Sequence, residues 1–147
     1  MKRHLWRLGW LVLAAVALMA ARVTVNPLLV RPAAESVPAV GRVTVAELRE
    51  WRRDGGALTV IDARDRLIYL DGHIAGAINV PRRGFASRAV ESLSVAKDGV
   101  VVVYCSDRDC TDSAWVAGEL ARLGFSQVRV LDGGWSEWLA RGGEVAR

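Results

Sequence analysis

The chain has 147 residues, room for one domain of ordinary size. Its net charge of +4 belongs to the first 22 residues, where Lys2, Arg3, Arg7 and Arg22 stand without any acid; the remainder carries 16 basic and 16 acidic residues and is neutral. That distribution, with no basic stripe interleaved with aromatics, lacks the footprint of a nucleic-acid binder, and no nucleic-acid partner is expected.

Met1 to Arg7 is a charged start, and Leu8 to Ala21 is a run of 14 uncharged residues. As helix this run spans ~21 Å at 1.5 Å per residue, against a bilayer core ~30 Å thick. The length suits a signal peptide. Its clean Ala-x-Ala, Ala15-Val16-Ala17, lies inside the apolar run, however, and cleavage after Ala20 or Ala21 puts Leu18 or Met19 where a small residue is wanted. An uncleaved anchor gains length by snorkelling Arg7 and Arg22 and by using Leu5 and Val23-Thr24-Val25. Residues 1–25 are therefore expected to be a signal anchor, with a cleaved signal peptide as the alternative. In both cases Lys2, Arg3 and Arg7 hold the N-terminus in the cytoplasm. The domain is then expected on the extracytoplasmic (periplasmic) side, membrane-anchored or secreted. Residues 26–41, with Pro27, Pro32 and Pro38, read as a linker, and the domain is expected over 42–147.

Thr44-Val45-Ala46-Glu47 is a capping box, a Thr N-cap with Glu three residues on. It predicts a helix over Val45–Arg53, with Leu48 and Trp51 inward, ended by Asp54-Gly55-Gly56. Leu58-Thr59-Val60-Ile61-Asp62 has the form of a buried parallel strand running into a polar cluster, Asp62-Ala63-Arg64-Asp65. Gly72 to Pro81 mixes glycines with a second short strand, and Phe85–Leu93 is expected as helix. Val100–Tyr104 is the expected central strand. From Asp112 to Leu123, Ala114, Trp115, Ala117, Leu120, Ala121 and Leu123 recur at helical spacing, and Gly124 caps the helix. Val128–Leu131 is another strand, Asp132-Gly133-Gly134 a turn, and Trp135–Arg141 the last helix. Strands alternating with helices argue an α/β fold, a central parallel sheet flanked by helices, with ligands at the carboxyl ends of the strands.

Cys105 falls at such an end. It closes the apolar strand and opens a polar loop, Ser106-Asp107-Arg108-Asp109-Cys110-Thr111, ahead of the helix that starts at Asp112. A helix N-terminus and loop N–H groups stabilise a thiolate there. Cys105 is the candidate nucleophile and residues 106–111 the candidate substrate-binding cradle, curled so that its N–H groups point at the sulfur. Cys110 has two open readings, a resolving thiol or a small residue filling the corner between loop and helix. The folded part offers only Cys105, Cys110 and His73 as soft ligands, with no metal-site spacing, so no metal or cofactor is expected. His73, between glycines, is expected to order a turn. Asp62 and Arg64 are expected to pin loops beside the cradle, Trp115, Trp135 and Trp138 to lie in the core, and Arg82 and Arg83 to be a solvated basic pair.

Taken in order, Ile61-Asp62-Ala63-Arg64, Gly72-His73-Ile74-Ala75-Gly76-Ala77-Ile78-Asn79-Val80-Pro81, Val103-Tyr104-Cys105, Leu123-Gly124-Phe125 and Leu131-Asp132-Gly133-Gly134-Trp135 with Trp138 resemble a rhodanese-like domain from about Gly41 onward. The resemblance implies a sulfurtransferase that moves a sulfane sulfur, as a persulfide on Cys105, from a small donor such as thiosulfate, polysulfide or a persulfide to a thiol acceptor. The loop departs from the common family pattern, in which arginine and serine often end it; here those positions are Cys110 and Thr111. A related phosphatase group has a longer loop with arginine six residues after the cysteine, where this chain has Thr111, so phosphatase chemistry is not expected. Asp107 and Asp109 against the single Arg108 speak for a donor less charged than thiosulfate. A thiol–disulfide redox protein using Cys105 and Cys110, and a non-catalytic rhodanese-like binding module, are the alternatives.

Overall fold

The fold is built around the strand that ends at Cys105. In the computed structural model, which describes residues 40–86, 90 and 94–147, five parallel strands form one sheet in the order β1 (Gly41–Val43), β6 (Gln127–Leu131), β5 (Val100–Tyr104), β2 (Leu58–Asp62), β4 (Ile78–Asn79). Strand β5 is central, as its unbroken valines require of a strand buried on both faces. Two short strands, β3 (His73–Ile74) and β7 (Val145–Ala146), make a separate antiparallel ribbon. The helices are α1 (Val45–Asp54), α2 (Arg66–Asp71), α3 (Asp112–Arg122) and α4 (Gly134–Ala140).

The side-chain period of two divides each strand between two cores. Val101 and Val103 of β5 join Ile61, Val128 and Val130 and meet Val116, Ala117 and Leu120 of α3. Val102 and Tyr104 join Val60 and Leu131 and meet Leu48 of α1 and Trp138 of α4. Burying one such aliphatic side chain contributes about 1.5–3 kcal/mol, so the odd and even positions of β5 are each fixed to their own layer.

Local signals set the ends of the elements. Thr44 and Glu47 form the expected capping box, and Gly55, at φ 68°, terminates α1 in the left-handed region that glycine tolerates. Strands β2 and β5 have the predicted bounds, and β6 begins one residue earlier than expected. Strand β1 begins at Gly41, inside the expected linker, because its pairing to Arg129–Leu131 is a tertiary event. The signal segment expected over 1–25, the linker up to residue 39, and residues 87–89 and 91–93 of the helix expected over Phe85–Leu93 lie outside the described residues. No helix among the described residues is long and apolar enough to cross a membrane.

Trp115 departs from its expected place in the core. Helix α3 buries Ser113, Val116, Ala117, Leu120 and Ala121, and this leaves Ala114 and Trp115 exposed on the outer face. Trp115 lies edge-on to Phe85 with the Arg82 guanidinium over its ring. Trp138 is buried and Trp135 half-buried, as expected.

Candidate active site

Two loops leave the carboxyl ends of neighbouring strands. In register, Asp62 of β2 lies beside Tyr104 of β5. The Asp62 carboxylate accepts the backbone N–H of Arg64 at 2.8 Å, its guanidinium at 2.6 Å, and the Tyr104 hydroxyl at 2.5 Å. The pair is closed to solvent, at 3% and 0% side-chain exposure for Arg64 and Asp62. Arg64 also donates to the Gly72 carbonyl and lies over the Trp135 ring at 4.6 Å, and the Tyr104 oxygen accepts the N–H of Ile74. Desolvation opposes the Arg64 charge, but the bonded carboxylate of Asp62 outweighs it, and the guanidinium pKa is raised. Burial, and then the hydrogen bond to the Asp62 carboxylate, push the Tyr104 hydroxyl far above the usual phenol range. Asn79 donates to the carbonyls of Asp62 and Arg64 and locks the turn. Asp62 and Arg64 are thus a structural floor, as expected.

The second loop starts at Cys105. Cys105 is 2% exposed and continues the odd-numbered row of β5 toward α3, while Tyr104 faces the opposite layer. The cradle is pinned from below by α4. The N–H of Trp135 donates to the Cys105 carbonyl at 2.8 Å, and the N–H and hydroxyl of Ser136 donate to the Ser106 carbonyl. A Cβ on Gly134 would stand 2.5 Å from the Cys105 carbonyl oxygen and 3.1 Å from the Asp107 nitrogen, and the residue has φ 55°. Only glycine lets the loop lie this close. Thr111 precedes α3 without a side-chain cap, which leaves the first-turn N–H groups uncapped.

The sequence leads to the expectation that the loop N–H groups point at the sulfur. The structure corrects this for two of them. The Asp107 carboxylate accepts the N–H groups of Asp109 at 3.0 Å and Cys110 at 3.1 Å. A short acidic side chain competes for nearby backbone donors and closes its own turn. Asp107 is therefore turned toward its loop and partly neutralised by it.

Cys105 and Cys110 are joined in a disulfide, their Cα atoms 6.2 Å apart. The two sulfurs and the Asp112 carboxylate lie within 4.8 Å of one another. Bonded to each other, the sulfurs are not thiolate ligands for a metal. Asp112 pairs with Arg82 at 3.0 Å. Beside them opens a depression of about 400 Å³ lined by Ala63, Asp65, Arg82, Arg83 and Asp112.

The sequence model of the rhodanese-like domain matches residues 44–141. The chain belongs to the rhodanese-like family. A thiosulfate sulfurtransferase of Corynebacterium glutamicum is 30% identical over 135 residues, covering 73% of this chain and 44% of its own length. An HTH-type transcriptional regulator of Mycobacterium tuberculosis is 38% identical over 100 residues, covering 68% of this chain and 42% of its own length. The chain thus spans less than half the length of these two relatives. The thiosulfate sulfurtransferase GlpE of Pseudomonas fluorescens is 39% identical over 88 residues, covering 58% of this chain and 73% of its own length. Among solved structures, the BH2092 protein of Bacillus halodurans superposes with a TM-score of 0.66 at 30% identity, covering 72% of this chain and 76% of its own. The rhodanese-like domain of an Anabaena protein superposes with a TM-score of 0.62 at 31% identity, covering 74% and 80%.

Within the rhodanese-like frame, the structure gathers Cys105, Ser106, Asp107, Arg108, Asp109, Cys110 and Thr111 into one loop between β5 and α3. Asp107, Arg108, Asp109 and Thr111 are exposed, while Ser106 and Cys110 are half-buried. His73 stays outside the cluster of sulfurs; its Nδ1 lies 3.0 Å from the Tyr69 carbonyl and its ring stacks on Tyr69. Three contributors escape the sequence reading. Ser136 and the Trp135 N–H reach the loop from 30 residues away, and Arg82, expected as a solvated cation, pairs with Asp112. The Gly133-Gly134 pair was the available signal for the first two, since paired glycines mark a close backbone approach.

Proposed function

We propose that this chain is a sulfurtransferase in which Cys105 carries the sulfane sulfur of a small donor (thiosulfate, polysulfide or a persulfide) to a thiol acceptor. The observation that carries the reading is the site of Cys105, at the carboxyl end of the central strand, buried, with an uncapped helix start above it. Relatives named thiosulfate sulfurtransferase support it. The competent form is the dithiol, reached by reduction of the Cys105–Cys110 bond. The Cys105 thiolate attacks the outer sulfur of thiosulfate, an S–S bond forms on Cys105, and sulfite leaves with the electrons of the broken bond. An acceptor thiolate then takes the outer sulfur and Cys105 departs as thiolate. The depression beside Asp112 offers a donor its approach, with Arg82 and Arg83 on its wall. Asp65 and Asp112 oppose these cations, and Asp109 adds a further negative charge to the loop, which favours donors less charged than thiosulfate.

The test is sulfur transfer by the reduced full chain to an acceptor thiol, with sulfite release as the second readout. Cys105→Ser is expected to abolish both while far-UV circular dichroism stays unchanged. Full activity in that variant overturns the assignment.

We further propose that residues 1–25 are a signal anchor that exports the domain to the periplasmic side. The basic start followed by 14 uncharged residues supports this. A reporter fused after Arg147 is expected to be active outside the cytoplasm; cytoplasmic activity contradicts export.

A further inference from the structure

We propose that Cys110 resolves the Cys105 persulfide, expelling the transferred sulfur as hydrosulfide and leaving the Cys105–Cys110 disulfide. The chain then reduces sulfane sulfur instead of only passing it on. The inference rests on the persulfide reading above.

The geometry settles which sulfur Cys110 reaches. The two Sγ atoms are already within bonding reach across Cα atoms 6.2 Å apart, inside the span of about 4.4–6.8 Å that needs no backbone movement. The loop that brings them together is held by bonds independent of the disulfide: the Asp107 carboxylate on the N–H groups of Asp109 and Cys110, and Trp135 and Ser136 on the carbonyls of Cys105 and Ser106. Cys110 Sγ therefore meets the inner sulfur of a persulfide, Cys105 Sγ itself. An external acceptor approaches from solvent and meets the outer sulfur.

The step balances within the chain. The Cys110 sulfur attacks Cys105 Sγ, the bond between the two cysteine sulfurs forms, and the bond from Cys105 Sγ to the outer sulfur breaks. The outer sulfur leaves with that electron pair and takes the proton lost by the Cys110 thiol, giving hydrosulfide. The Asp112 carboxylate lies within 4.8 Å of both sulfurs, paired with Arg82. The outer sulfur is reduced and the two cysteines are oxidised, so no external oxidant enters. A dithiol resets the site and becomes a disulfide itself. It attacks at Cys110, because Cys110 is half-buried and Cys105 is 2% exposed, and Cys105 then leaves as the thiolate that its strand end and helix favour.

The experiment is a single turnover of the full chain, reduced, freed of reductant, and mixed with thiosulfate in the absence of any other thiol. Sulfite, hydrosulfide and intact mass are read. The wild type is expected to release one sulfite and one hydrosulfide per chain and to end two hydrogens lighter than the dithiol. Cys110→Ser and Cys110→Ala are expected to release sulfite, to keep one added sulfur atom, and to lose hydrosulfide release. A wild type that keeps the added sulfur and releases no hydrosulfide overturns the inference while the persulfide reading stands. Equal hydrosulfide release by the variants also overturns it. A wild type that yields neither sulfite nor added sulfur with thiosulfate, and neither added sulfur nor hydrosulfide when polysulfide replaces it, removes the persulfide reading and this inference together.

Discussion

The loops at the ends of β2 and β5 use one local device with opposite outcomes. In each, an aspartate accepts the backbone N–H two residues on: Asp62 from Arg64, Asp107 from Asp109. Asp62 is sealed in the even-numbered layer with Arg64 and Tyr104, where every partner is a protein group. Asp107 is exposed, and its loop ends in the odd-numbered layer, where Cys105 meets the start of α3. The buried loop supplies rigidity, and the open one carries the disulfide between the buried Cys105 and the half-buried Cys110. The difference comes from where each aspartate stands: Asp62 is the last residue of β2, buried within the sheet, whereas Asp107 lies beyond the end of β5 in an exposed loop.

The comparison breaks most decisively at Asp62. Asp62→Ala leaves Arg64 charged, buried and unpaired, at an expected cost of about 3–5 kcal/mol, read as a lowered urea midpoint. A loss below about 1 kcal/mol would show that water enters this floor and that the two loops do not differ in kind.

Reduction of the Cys105–Cys110 bond tests the open loop. The bridge closes a short loop, five residues apart in sequence, so its loss is expected to cost about 2 kcal/mol on chain-entropy grounds. Cys110→Ser should then unfold at the same denaturant concentration with and without reductant. A reductant-sensitive midpoint in that variant would mean that the stabilisation comes from elsewhere.

Alkaline titration sharpens the contrast by probing Tyr104. Its folded pKa is raised above the ordinary 10.0. The stability linked to it is therefore complete below pH 10 and is lost as pH rises through and beyond that value, by about 1.4 kcal/mol for each unit. Tyr104→Phe should be less stable at pH 7 yet show a flatter profile between pH 10 and 11. Parallel profiles for the two proteins would remove Tyr104 as the titrating group.

The smallest effect is expected at Asp107. Asp107→Ala frees two N–H groups that water reaches, at a cost of about 0.5–1 kcal/mol, and should slow sulfur transfer by loosening the cradle. Asp107→Asn keeps an acceptor oxygen and should restore both. If Asn behaves as Ala does, the charge of Asp107 matters beyond its hydrogen bonds.

Sequence alone determined the α/β class, the capping box of α1, the bounds of β2 and β5, and the place of Cys105, because each is written in adjacent residues: a Thr-x-x-Glu spacing, a run of valines, a polar loop after an apolar strand. Helix α2 escaped, since its Leu67, Ile68 and Leu70 are exposed and follow no core-facing period. Strands β3 and β7, of two residues each, carry no period at all and exist only through their pairing. Tertiary structure decided the pairing of Asp62 with Tyr104, 42 residues apart, the exposure of Trp115, and the bond between Cys105 and Cys110. These depend on which atoms the folded backbone brings within a few ångströms, and a side chain able to make several bonds takes the partner that the fold leaves nearest.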